Sequence, residues 1–402
     1  MNTRLHRAMI LTVALCAITA ATARLRADTG LCGEASITLP FTDVPSSNIF
    51  FCSIAEAFFS GLTNGTGATT YGPSHGVPRE QMAAFVTRTM DQSVRRSSKR
   101  AALRQFWTIQ TADNLALTSV DNGPRLVESD GLDLWVANEG SSTVSRVRAS
   151  DGHLIESWTG ATSAFGVLVA MGKIFVTGQT SPGMLYRIDP TQAAGSVTVL
   201  SSGLVTKPLG IAFDGQRIWT ANLGTVAGTG SVSIVTLSPL NVVNVSTGFS
   251  NPAGVVFDGS NTWVTDSGDG EVKKLDSNGN ILMSVPVGAF PLYPAFDGTN
   301  IWIPNHNSNT VSIVRAGGSF AATVVTTLAG NGLNGPQQAS FDGERMLITN
   351  NDGNSVSLWK ASDLTPIGNF STGTGGFGAF GACSDGLNYW ITLFSTAKLA
   401  RF

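Results

Sequence analysis

Charged side chains are scarce in this sequence: Asp, Glu, Lys and Arg make up 13% of it, about half the share of an ordinary soluble domain. That excludes a long coiled coil, whose exposed positions need Glu, Lys and Arg. Disorder is excluded from the other side, because 42% of the residues are apolar and disorder requires low hydrophobicity with high net charge. Histidine and cysteine are equally thin, four of each in 402 residues. No G-x-S-x-G, no H-E-x-x-H and no phosphate loop occurs, so the common signatures of hydrolases, zinc proteases and nucleotide enzymes are missing. What is plentiful is glycine, with 45 copies, alongside 8 Trp and 21 Phe. Many turns between short apolar strands are expected.

The only long apolar run is Ala8 to Ala21, 14 residues behind Arg4 and Arg7. It is short for a membrane span, which needs about 20 residues. With Ala21-Thr22-Ala23 or Leu25-Arg26-Ala27 after it, the segment 1–27 reads as an export signal; an uncleaved anchor is the alternative. Leu15 before Cys16 argues against lipidation. Removing the segment takes away four Arg and no acid, leaving 21 basic against 27 acidic residues. A chain with that balance has no obvious use for nucleic acid. The expected location is the cell envelope, periplasm or exterior. Export permits a disulfide, and Cys32 with Cys52 is the candidate pair. Cys383 lies in an apolar stretch and reads as a buried thiol. No cofactor is expected from these residues, and the metal question stays open.

Residues 39–88 follow a distinct order. Phe41-Thr42-Asp43-Val44 precedes an amphipathic helix over 50–62, with Phe51, Ile54, Ala55, Phe58 and Phe59 on one face. Gly61, Asn64 and Gly65 stop it. Tyr71-Gly72-Pro73 opens a loop, and Pro78-Arg79-Glu80 starts a second helix with Met82, Phe85, Val86 and Met90 as its apolar face. The set FTDV, SGLTNG, YGP and PREQMAAFVTR resembles an S-layer homology (SLH) module over about 50 residues. The resemblance implies attachment to a cell-wall polysaccharide, with Arg79 as the glycan-binding candidate. Pro78 stands where the family has Thr, and one module is present where the family commonly uses three. Arg79 equally fits a local cap or pair. Arg95, Arg96, Lys99, Arg100 and Arg104 follow as a basic linker, suited to an anionic surface or simply to solvent.

From residue 113 the chain repeats. VESDGLDLWVAN (127–138), IAFDGQRIWTAN (211–222), VVFDGSNTWVTD (255–266), PAFDGTNIWIPN (294–305), ASFDGERMLITN (339–350) and GACSDGLNYWITL (381–393) share one pattern, with VLVAMGKIFVTG (167–178) a weaker copy. Their glycines are spaced by 41, 43, 44, 39, 45 and 43 residues. Such periods indicate solenoids or propellers. Asp-Gly hairpin turns between alternating strands, with no helical periodicity, select four-stranded propeller blades. The last copy ends after three strands, and LALTSV at 115–120 is the expected fourth, closing the ring. Six blades with a stray hairpin is the alternative. The whole chain is thus read as mainly β: signal 1–27, module 28–92, linker 93–112 and a seven-bladed β-propeller over 113–402. The repeat resembles the YVTN/NHL-type propellers, among them the streptogramin-lyase-like ones.

Several repeat positions are site candidates. Trp135, Trp219, Trp263, Trp302 and Trp390 either fill the taper between blades or form a stacking surface. Asn138, Asn222, Asp266, Asn305 and Asn350 end equivalent strands; they either satisfy loop backbone or ring a ligand-binding rim. Asp352 and Asp269 are the neighbouring acids to watch. His306 follows Asn305 directly. The lyase resemblance implies a His base with a metal, Ca or Mg, at the channel mouth, and His306 is the match to that role. The expected function is an exported, envelope-associated binding or scaffold protein that recognises a protein or small ligand on a propeller face. The alternative is a metal-dependent lyase or hydrolase acting through His306.

Overall fold

The computed structural model describes residues 28–32, 35–59, 63–79, 81–86, 116–317, 323–373 and 378–402. The segment 1–27 expected as an export signal, Glu80 and the basic stretch with its five cations lie outside them. By its contacts the chain divides into two units, 1–94 and 95–402. Among the described residues no helix is long and apolar enough to cross a membrane.

The N-terminal unit begins with an antiparallel hairpin, Thr29–Cys32 paired with Ala35–Thr38, which the helix-based reading of this segment did not include. Its four-residue strands are too short to show a period. The helix runs Phe51–Phe59; residues 79 and 81–86 are also helical. Cys32 is bonded to Cys52 across 5.5 Å between Cα atoms, tying hairpin to helix. Leu39, Phe41, Val44, Phe51, Ile54 and Ala55 form the core. Phe41 meets Phe58 edge-on at 4.9 Å and Tyr71 at 5.2 Å. Asp43 accepts the backbone N–H groups of Tyr71 and Gly72, each at 2.8 Å. Burial works against its charge, yet those two donors hold its carboxyl below the usual range. The FTDV and YGP segments are therefore two halves of one clamp.

The second unit is a propeller of seven four-stranded antiparallel sheets. Blades 1 to 6 start with their inner strands at Pro124–Ser129, Ala164–Ala170, Pro208–Phe213, Pro252–Phe257, Ala295–Phe296 and Pro336–Phe341. Blade 7 is Ala379–Ser384, Tyr389–Leu393 and Lys398–Arg401, completed by Ala116–Ser119. The N-terminal strand thus closes the ring, and the blade count is seven. Inner strands of neighbouring blades contact each other round the ring, so they surround the axis.

Three side-chain devices recur. The first joins the Asp-Gly turn to the tryptophan five residues later. In blade 4, Asp258 Oδ1 accepts the N–H groups of Ser260 and Asn261 at 2.8 and 2.7 Å, and Oδ2 accepts Trp263 Nε1–H at 2.7 Å. The same Trp-to-Asp bond forms at 135/130, 219/214, 302/297 and 390/385. All five indoles are at most 1% exposed, so they pack inside the sheets. The turn glycines hold φ between 88° and 98° in six blades, a region L-residues avoid. Blade 2 lacks the Asp, and Phe175, which has no N–H to donate, replaces its Trp.

The second device links blades. Thr177, Thr265, Thr349 and Thr392 each donate to a backbone carbonyl of the next blade, at 2.6–2.9 Å; three acceptors lie on the inner strand and Leu292 just before it. Each also accepts a backbone N–H from its own inner strand, from Gly166, Gly254, Gln338 and Gly381. A Cβ on Gly254 would lie 2.5 Å from the Leu292 carbonyl oxygen, so glycine permits the close approach. The third device lies within the blade, at the strand-end asparagines.

Candidate functional site

The strand-end residues sit inside the blades. Asn222 Nδ2 donates to Ser231 and Ser233 at 3.1 and 2.8 Å, Asn305 to Thr310 and Ser312 at 3.1 and 2.9 Å, and Asn350 to Ser355 and Ser357 at 3.1 and 2.8 Å. The Asn138 amide lies 3.2 and 2.9 Å from the Thr143 and Ser145 hydroxyls. All four are fully buried. Blade 4 replaces the pair: Asp266 stands for Asn and Lys273 for the serine. Lys273 Nζ donates to Asp266, Asp269 and the Gly248 carbonyl, each at 2.7 Å. Burial opposes its charge, but the two carboxylates hold the ammonium above its usual value.

His306 and Asp352 come from the loops after the second strands of blades 5 and 6. His306 Nε2 lies 3.6 Å from Asp352 Oδ2, and its buried Nδ1 has no partner. Two donors do not make a metal centre, and no group of three His, Cys, Asp or Glu gathers among the described residues. Arg79 is exposed and opens the second helical segment of the N-terminal unit.

A different group converges on the axis. Phe165 of blade 2, Tyr293 of blade 5 and Phe380 of blade 7 have ring centroids 5.8–6.0 Å apart. These blades are not neighbours in the ring, so the three rings meet across the axis and close the channel at this level. Leu126, Leu209, Ala253 and Leu292 complete the apolar floor. Onto it blade 1 places Arg125. Its guanidinium lies 4.0 Å from the Phe394 centroid, 4.6 Å from Phe380 and 5.3 Å from Phe165. At a partly exposed site such a contact is worth about 0.5–1 kcal/mol, and one guanidinium shared among three rings does not gain it three times over. Glu139 Oε2 accepts Arg125 Nε–H at 2.6 Å and lies 2.5 Å from Nη2. The two side chains keep 20% and 25% of their surface exposed, so the pair faces water from an apolar base. Burial raises the Tyr293 phenol; Arg125 lowers it and Glu139 raises it, with the net shift upward. Tyr293 stays a protonated donor.

The sequence reading missed this group. Aligned on the turn glycine, Arg125 occupies the place of Leu209, Ala253, Leu292, Gln337 and Phe380 in other blades, and a lone arginine among those residues was the available signal. Below the floor, Glu128 is enclosed by protein while keeping some accessible surface, and burial pushes its carboxyl up to about 7. Burial likewise raises the Cys383 thiol, with Glu128 and Asp385 adding to the effect.

No family model matches the chain, and no curated protein matches it. Solved structures do match in fold. A streptogramin B lyase structure is 15% identical with a TM-score of 0.60, covering 73% of this chain and 99% of that one. The virginiamycin B lyase of Staphylococcus aureus is 14% identical with a TM-score of 0.59, over 72% and 98%. The WD40 propeller domain of Doa1 is 11% identical with a TM-score of 0.60, over 74% and 97%. At these identities the likeness is one of fold: the chain is similar to both lyase and WD40 propellers, and its architecture is the seven-bladed β-propeller they share.

Proposed function

We propose that this protein is an exported recognition protein of the cell envelope, holding its ligand at the Arg125 mouth of the propeller. The observation that carries the reading is one charged pair, Arg125 with Glu139, partly exposed on an aromatic floor built by several blades. Arginine and aromatic side chains in a desolvated setting are the groups that dominate binding interfaces. The pair also breaks the local rule of the repeat, and such breaks concentrate at functional sites. The N-terminal unit, with its SLH-like order of motifs, serves attachment to a wall polysaccharide in this reading, through exposed Arg79.

Ligand-observed NMR on the full chain tests the recognition half. A fragment library is screened against wild type and Arg125→Ala. Fragments that bind wild type are expected to lose their signal in the variant. An identical set of hits in both proteins contradicts the reading. Sedimentation with purified cell walls tests the attachment half, where Arg79→Ala is expected to lower the bound fraction.

A second reading, a lyase or hydrolase using His306 as base, rests on the 3.6 Å approach of Asp352. At that range the carboxylate is beyond hydrogen-bond distance and would have to close in on the imidazole to orient it. Lyase assays against streptogramin B with His306→Ala as control decide it; turnover that survives the substitution removes His306.

A further inference from the structure

The chemistry of the mouth narrows its ligand, and the argument for that class rests on the recognition reading above. Glu139 Oε2 takes both Nε–H and Nη2 of Arg125. That leaves Arg125 Nη1 and Glu139 Oε1 without a hydrogen-bond partner among the described residues. The Tyr293 hydroxyl is also unpartnered there, and burial keeps it protonated. The mouth therefore offers a fixed cationic donor and a fixed anionic acceptor side by side, with apolar rings beneath.

A simple anion would gain from Arg125 but meet the Glu139 charge. A simple cation would do the reverse. A neutral amide would satisfy the geometry with uncharged bonds, which are roughly half as strong as charge-assisted ones. A small zwitterion satisfies both groups at once. Its carboxylate accepts from Arg125 Nη1, its ammonium donates to Glu139 Oε1, and an apolar side chain lies against Phe394, the ring of the group that keeps accessible surface while Phe165 and Phe380 are buried beneath. We propose that the Arg125–Glu139 mouth binds a free α-amino acid with an aromatic or large aliphatic side chain.

Calorimetric titration of the full chain at pH about 6.5 uses three probes: L-phenylalanine, N-acetyl-L-phenylalanine and L-phenylalaninamide. Phenylalanine is expected to bind at least about tenfold tighter than either blocked form, since each block removes one charge-assisted pair. This comparison uses wild type, so a misfolded variant does not blunt it. Glu139→Gln is expected to weaken phenylalanine about tenfold while improving N-acetylphenylalanine, and Arg125→Gln to abolish binding of both. Tyr293→Phe keeps the ring and floor and is expected to weaken phenylalanine a few-fold through the lost hydroxyl.

N-acetylphenylalanine binding as tightly as phenylalanine makes the mouth a plain anion site, and phenylalaninamide doing so makes it a plain cation site. Either outcome overturns the proposal. If none of the three probes binds while fragment hits still depend on Arg125, the amino-acid class is overturned and the recognition reading stands. If no fragment distinguishes wild type from Arg125→Ala, both fall.

Discussion

The interior of the blades and the mouth of the channel use the same repeat in opposite ways. Inside, one solution is copied: Asp bonds Trp across the turn in five blades, and Asn bonds two hydroxyls in at least three. At the mouth the blades vary the side chain at one position, among them Arg125, Phe165, Leu209, Ala253 and Gln337, and only one blade supplies a charge there. Recurrence marks what every blade needs in order to fold. Departure marks what only one place needs to do. The interior asparagines bond hydroxyls of their own blade and have no surface exposed, whereas Arg125 and Glu139 keep some.

Several substitutions sharpen or break that contrast. The largest effect is expected from Trp263→Ala, a buried indole whose loss also takes away the donor to Asp258 Oδ2. Urea unfolding should show a loss of about 3–5 kcal/mol, and a loss under about 1 kcal/mol would contradict the role of the indole as wedge. Blade 4 offers the next test. Lys273→Ser alone leaves buried Asp266 its two backbone donors, Ser250 and Asn251, but removes its cation, and should cost about 3–5 kcal/mol. Adding Asp266→Asn recreates the pair used by other blades and should return stability to within about 1 kcal/mol of wild type. A double variant as unstable as the single one would show that the blades are not interchangeable.

Glu128 gives a smaller effect with a clear sign. Its folded pKa is raised, to about 7. The folded chain then holds a proton that the unfolded chain releases, so its contribution is fully present at acid pH. That contribution is lost as pH rises from about 4.5 through 7. Glu128→Gln should flatten this slope and stabilise the protein at pH 8 by about 1–2 kcal/mol, read from thermal unfolding between pH 4 and pH 8. A stability profile that rises over that range and is unchanged in the variant would refute the assignment. The smallest expected change in stability is at the mouth itself: Arg125→Ala should cost about 1 kcal/mol or less. A cost as large as that at Trp263 would make Arg125 another piece of scaffold.

Most of the fold was legible because it is repeated. The spacing of the turn glycines gave the blades, and the truncated last copy gave ring closure through 116–119. The constant five-residue step from Asp to Trp was also in plain view, but its meaning depends on a side-chain bond that folding alone reveals. The threonine links were hidden for another reason: they appear in four blades and their partners are backbone atoms of the next blade. In the N-terminal unit, the hairpin 29–38 has strands too short for periodicity. The candidate site was least legible. Recurring polar residues drew attention, while Arg125 and Tyr293 lie far apart in sequence and meet at the axis only because the ring closes.

The central claim is that recognition happens at the Arg125 mouth. Hydrogen–deuterium exchange of the full chain, with and without a saturating fragment hit, tests it most directly. Protection is expected at residues 123–126, 139–142, 292–294 and 378–381, with the Asp-Gly turns at the other end of the blades unchanged. Protection confined to those turns, or no change at the mouth, would contradict the account.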